Sequence, residues 1–109
     1  MEIWGSGIPK REFLNVDDCS EACLFLMEKY NEAGHINVGM GSDISINDLS
    51  LLIKKIVCYD GEIKYDSSKP DGTPRKLMDV SKIHSLGWKH KTGLEEGIIR
   101  VYEEVKTKF

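Results

Sequence analysis

The chain has 109 residues, 40% of them hydrophobic, enough for one small domain with a modest core. Its 15 basic and 18 acidic residues leave a formal charge of -3, which argues against a general nucleic-acid or anionic-membrane surface and requires any anion site to be local. No apolar run approaches the roughly 18 residues of a membrane span, and no charged segment leads into an apolar one as in a secretory leader, so a soluble, cytoplasmic protein is expected.

Met1-Glu2-Ile3 runs straight into the motif Trp4-Gly5-Ser6-Gly7 and reads as a truncation point. Phe13 to Val16 is predicted as a short strand. Cys19, Ala22, Cys23, Leu26, Met27 and Tyr30 then recur at intervals of three and four, the mark of an amphipathic helix, with Gly34 as its expected stop. His35 to Val38 is predicted as a compact strand closed by Gly39 and Gly41. Ser45 with Asp48 gives a capping-box-like start to a second helix whose buried stripe is Leu49, Leu52, Ile53 and Ile56. Ile63 and Tyr65 alternate with Glu62, Lys64 and Asp66 as in a half-exposed strand, and Ser68 to Lys76, with Pro70 and Pro74, must be a loop. Asp79 is the expected cap of a short helix carrying Val80, Ile83 and Leu86 and stopped by Gly87. Thr92 and Glu95 then box the start of a last helix that buries Leu94, Ile98, Val101, Tyr102 and Val105.

Strands alternating with helices predict an α/β arrangement with at least one parallel crossover. Only three short strands are visible against strongly apolar helix faces, so the chain reads as the tail end of a larger α/β protein. The cysteines, Cys19, Cys23 and Cys58, are odd in number, and the first two follow the apolar helical pattern. They are expected to be reduced core residues rather than a disulfide framework or a zinc site.

Two loops carry the chemistry. Trp4 to Asp18 and Ser68 to Lys76 together offer an indole, a guanidinium and a carboxylate in glycine- and proline-shaped backbone. Those are the groups that stack on a hexose or base and pair with a pyrophosphate. Each has a plainer role open to it: Trp4 can plug the core, Arg11 can pair with Asp17 or Asp18, and Asp71 in Pro-Asp-Gly can be a turn residue. Lys69, Arg75, Lys76 and Lys82 add a local positive potential. Gly39-Met40-Gly41 resembles the start of a dinucleotide fingerprint, but Ile44 stands where the third glycine belongs, so it reads as a strand-to-helix turn. Tyr65 with Lys69 and Tyr102 with Lys106 repeat a tyrosine–lysine spacing known from dehydrogenases. The first pair spans a strand end and a proline loop, and Tyr102 belongs to an apolar stripe, so neither is expected to be catalytic. His35, His84 and His90 lack metal-site spacing.

The Trp4–Gly7 run, Pro9, Arg11-Glu12-Phe13, Val16-Asp17-Asp18, His35 to Gly39, Lys69 to Lys76 and Leu86-Gly87-Trp88, taken in order, resemble the GDP-L-fucose synthases. These are extended short-chain dehydrogenases of the nucleotide-sugar epimerase superfamily. The Lys-Pro-Asp-Gly-Thr-Pro-Arg-Lys loop is the narrowest of the matching motifs. The resemblance implies the C-terminal substrate-binding portion of such an enzyme, with few short strands, about four helices and the Rossmann half absent. It places Trp4, Arg11, Asp71 and, less directly, Lys76 on a GDP-sugar. It implies a homodimeric parent that converts GDP-4-keto-6-deoxy-D-mannose to GDP-L-fucose with NADPH. In this chain no catalytic residue, no cofactor site and no metal site is expected. The alternatives are a fragment of another nucleotide-sugar 4-epimerase or dehydratase, which UDP preference would mark, and a stand-alone nucleotide-sugar binding module.

Overall fold

A computed structural model describes residues 1–108. Helix α1 (Val16–Lys29) begins where the Asn15 side chain accepts the Asp17 amide at 2.9 Å, and Asp17 and Asp18 in its first turn complement the positive end of the helix dipole. This capping captures Val16 for the helix, so the predicted strand from Phe13 to Val16 does not form; those residues run unpaired into the cap. The helix ends at Lys29 with Tyr30 as its cap, and Gly34, at φ +101°, shapes the turn beyond it. Asp18, Ala22, Phe25 and Leu26 face the interior. One residue along a helix rotates the side chain by about 100°, and that step leaves Cys19 and Cys23 outside. All three cysteines are free and exposed, which corrects their assignment to the core.

Helix α2 (Ile46–Ile56) starts as predicted, with the Ser45 hydroxyl accepting the Asp48 amide at 3.0 Å. Its stripe of Leu49, Leu52, Ile53 and Ile56 is half-buried. Helix α3 (Ser81–Leu86) has Val80 at its cap position, and Asp79 beside it accepts the Ser81 amide at 2.9 Å. It stops at Gly87 in the left-handed conformation, φ 108°. Helix α4 (Leu94–Val105) is capped by Gly93 without a side-chain bond, so the expected Thr92–Glu95 box is absent. Thr92 instead gives its amide to the buried Asp18 carboxylate at 2.9 Å, and Lys91 adds a second amide at 3.1 Å. Asp18 thus takes the amide that Glu95 would accept from in such a box, and the Thr92 hydroxyl accepts from Arg100 Nη1 at 3.3 Å.

Five short strands make two small sheets. β1 (Glu2–Trp4) pairs in parallel with β4 (Lys64–Asp66), which lies within the expected alternation of Glu62 to Asp66. β2 (Lys10–Arg11) lies between β3 (Ile44–Ser45), antiparallel, and β5 (Arg75–Lys76), parallel. The parallel pairs bear out the predicted crossover. His35 to Val38 has no ladder partner among the described residues; Ile36 and Val38 pack against the core instead.

That core is Ala22, Val80, Ile83 and Trp88, flanked by Leu14, Phe25 and Leu26. The molecule measures 49 × 34 × 18 Å with a radius of gyration of 16.6 Å. A compact chain of this length would have about 13 Å. At 18 Å the molecule's shortest extent is too thin to sandwich a sheet between two helix layers. Consequently the expected α4 stripe is only partly covered: Leu94, Ile98, Tyr102 and Val105 are half-buried and Val101 is exposed. With Phe13, Val16 and Ile53 they line an open groove of about 430 Å³.

Candidate functional site

The two loops singled out in the sequence meet along one seam. The Gly5 amide donates to Asp66 O at 2.9 Å and the Lys10 amide to Pro74 O at 2.9 Å, so residues 4–11 and 66–76 are joined by main chain at both ends. Between these points Asp71 closes on Ser6: Oδ1 accepts the Ser6 amide at 2.8 Å and Oδ2 accepts the Ser6 hydroxyl at 2.6 Å. These bonds, the hydroxyl's first and the amide's second, hold the Asp71 carboxyl below its ordinary value, so it is ionised at neutral pH. Gly5 permits the approach. It sits at φ +82°, and a Cβ there would lie 2.3 Å from Asp71 Oδ1.

Arg11 spends both N–H bonds of Nη1 on carbonyls, Lys10 O at 2.6 Å and Thr73 O at 2.7 Å. Its remaining donors, on Nε and Nη2, have no acceptor among the described residues, and Nη2 lies beside Gly72. Arg11 does not pair with Asp17 or Asp18: Asp17 binds Arg100 at 3.3 Å, and Asp18 holds the Lys91 and Thr92 amides. The β2–β5 register sets Arg11 beside Lys76 and Lys10 beside Arg75, and the strand pleat sends these two pairs to opposite faces. On the second face Asp43 takes Arg75 Nε at 2.6 Å, a bond that lowers the Asp43 pKa, with the charges of Arg75 and Lys10 acting in the same direction. Neutralising Arg75 in this way leaves Arg11 and Lys76 as the cations of the first face.

Trp4 is no core plug. It is 68% exposed, donates Nε1–H to Glu2 Oε1 at 3.1 Å, and carries Lys69 Nζ over its ring at 5.2 Å from the centroid. Its N–H is therefore spent within the chain, and what it presents outward is apolar ring surface under a cation. The structure thus brings Trp4, Asp71, Arg11 and Lys76 onto one seam, with Trp4 and Asp71 toward the Gly5 end and Arg11 with Lys76 toward the β2–β5 end.

Ser6 and Glu12 are the polar residues that sequence reasoning passed over. Glu12 accepts the Gly41 amide at 2.6 Å and the Met78 amide at 3.3 Å, locking the strand that carries Arg11 to two other segments. A Cβ on Gly39 would meet the same carboxylate at 2.7 Å. The Gly39–Gly41 turn is thereby filled by a carboxylate of the chain itself. It does not fit a dinucleotide pyrophosphate, which needs those amides free. At the tyrosine–lysine spacings, the Tyr65 hydroxyl bonds Asn47 Oδ1, while Lys106 lies over the Tyr102 ring at 5.8 Å and pairs with Glu103.

Residues 1–39 match the family model described as NAD dependent epimerase/dehydratase family. The rice (Oryza sativa subsp. japonica) protein named "Probable GDP-L-fucose synthase 1" is 52% identical over 101 residues, covering 93% of this chain and 31% of its own length. The GDP-L-fucose synthase of Escherichia coli K12 is 47% identical over 110 residues, covering 93% of this chain and 34% of its own. The chain is homologous to the GDP-L-fucose synthases. It spans about a third of the length of these GDP-L-fucose synthases. Among solved structures, a GDP-6-OMe-4-keto-L-xylo-heptose reductase from C. jejuni superposes with a TM-score of 0.92 at 42% identity, over 99% of this chain and 34% of that one. The mixed α/β fold with four helices and short strands among the described residues therefore resembles about a third of such reductases and epimerases, a UDP-glucose 4-epimerase from Thermotoga maritima included (TM-score 0.89, 32% identity, over 98% of this chain and 35% of that one). No described helix is long and apolar enough to cross a membrane.

Proposed function

We propose that this chain is the GDP-sugar-binding part of a GDP-L-fucose synthase, the C-terminal substrate-binding region of an enzyme that converts GDP-4-keto-6-deoxy-D-mannose to GDP-L-fucose with NADPH. The observation that carries the reading is the seam itself. It joins an ionised carboxylate, a guanidinium with free donors, a lysine and an exposed indole from segments about 65 residues apart. In this reading Arg11 and Lys76 take the diphosphate, Asp71 accepts ribose or base donors, and the Trp4 ring covers a sugar or base face. The 47% identity to the E. coli enzyme supports the assignment. NADPH and the catalytic groups belong to parts of a longer, homodimeric, cytoplasmic enzyme outside these residues, and the Rossmann half is among those parts.

The test is a titration with GDP, UDP and NADPH in turn, following the Trp4 indole and the amides near Arg11 and Asp71 by NMR. Shifts with GDP alone are expected. Equal shifts with UDP would reduce the assignment to a nucleotide-sugar epimerase of unspecified base, and saturable NADPH binding would overturn the placement of the cofactor outside the chain. The TM-score of 0.92 to the heptose reductase favours a second reading, a reductase region for another GDP-linked keto sugar. Tighter binding of a GDP-heptose than of GDP-L-fucose would select it.

A further inference from the structure

We propose that Ser6 is a positioning residue for nucleotide-sugar binding: it fixes the orientation of the Asp71 carboxylate and thereby closes the loop of residues 69–76 onto the Trp4 strand. The inference deepens the nucleotide-sugar reading of the seam and rests on it. Ser6 meets Asp71 with two donors, one for each carboxylate oxygen, at 2.8 and 2.6 Å. The hydroxyl is itself oriented, since Ser6 Oγ accepts the Ile8 amide at 3.2 Å, and that bond occupies a lone pair and points the O–H proton toward Asp71 Oδ2. Ser6, Ile8 and Asp71 thus form a short directed chain across the seam. With one acceptor position on each oxygen held by Ser6, the Asp71 carboxylate is fixed against the rotation that an unanchored Pro-Asp-Gly turn would allow. Gly5 contributes space, because any side chain there would push the carboxylate off Ser6. Both Ser6 bonds lower the Asp71 pKa, the hydroxyl's first and the amide's second, in keeping with a carboxylate held at both oxygens by one residue.

The test compares the full chain with Ser6→Ala, Ser6→Thr and Asp71→Asn, titrated with GDP by NMR, with the Asp71 carboxyl followed by ¹³C as pH is lowered. Ser6→Ala is expected to weaken GDP about tenfold, the scale of losing a hydrogen bond to a charged group, and to move the Asp71 midpoint up toward the ordinary 3.8. The acid limb of GDP binding should rise with it, because binding is lost as pH falls through the Asp71 pKa. Ser6→Thr, which keeps the hydroxyl, should restore both. A serine that only bonds Asp71 would move the midpoint and leave GDP affinity unchanged. Loss of affinity in Asp71→Asn with affinity unchanged in Ser6→Ala would therefore overturn this inference alone. Absence of GDP binding by the unaltered chain, or unchanged binding by Asp71→Asn, would overturn the nucleotide-sugar reading and this inference together.

Discussion

The seam and the helices of this small slab are built on opposite principles. Along the seam, stability is polar and directional: the two bonds from Ser6 to Asp71 and single ones from Arg11 to Thr73, Gly41 to Glu12 and Lys10 to Pro74 link segments distant in sequence, each between exposed or half-buried groups. Among the helices stability is apolar and concentrated in the cluster of Ala22, Val80, Ile83 and Trp88, while Val16, Leu24 and Met27 on α1 stay exposed. Binding geometry therefore resides where stability is least concentrated. Substitutions in one region should report on folding and in the other on ligand.

Trp88→Ala gives the largest expected effect. Trp88 is 3% exposed at the centre of the core, and its removal should cost about 3–5 kcal/mol in urea unfolding. Asp18→Ala comes next. It strands the Lys91 and Thr92 amides where the polypeptide enters α4, and a loss of about 2–3 kcal/mol is expected from two unmet donors. Gly5→Ala should cost only about 1–2 kcal/mol for its left-handed backbone, yet it should reduce GDP affinity as strongly as Asp71→Asn, because the new methyl occupies the place of Asp71 Oδ1. A Gly5→Ala protein that binds GDP normally would break the contrast between the two regions.

The Asp43–Arg75 pair, on the other face of β2–β5 from Arg11 and Lys76, sharpens the comparison through pH. Its hydrogen bond depresses the Asp43 pKa below the ordinary 3.8. A carboxyl of this kind stabilises the fold above its unfolded pKa and loses that contribution as pH falls through the folded value. The difference in urea midpoint between the unaltered chain and Asp43→Asn should thus be steady from neutral pH down to about 3.8 and shrink below it. The smallest effect is expected at Met27, 82% exposed on α1. Met27→Glu should change stability by no more than about 0.5 kcal/mol and leave GDP binding unaltered.

Local chemistry in the sequence determined a good deal. Ser45 capping α2, Gly87 ending α3, the apolar period of α1 and α4 and the turn character of Gly39–Gly41 follow from residues within a few positions of each other, and so does the motif pair that proved to be the seam. Where the sequence misled, the deciding partner lay far away. Asp18 takes the Thr92 amide across 74 residues, the amide that the expected box would have used. His35 to Val38 has strand character but finds no ladder among the described residues. The cysteines follow the helical period one position off the buried face, because spacing defines a stripe while packing chooses its centre. Ser6 gave no signal beyond being a serine between glycines. Its role exists only because the fold lays residue 71 upon it, and a side-chain hydrogen bond between distant segments is set by tertiary geometry that no local pattern encodes.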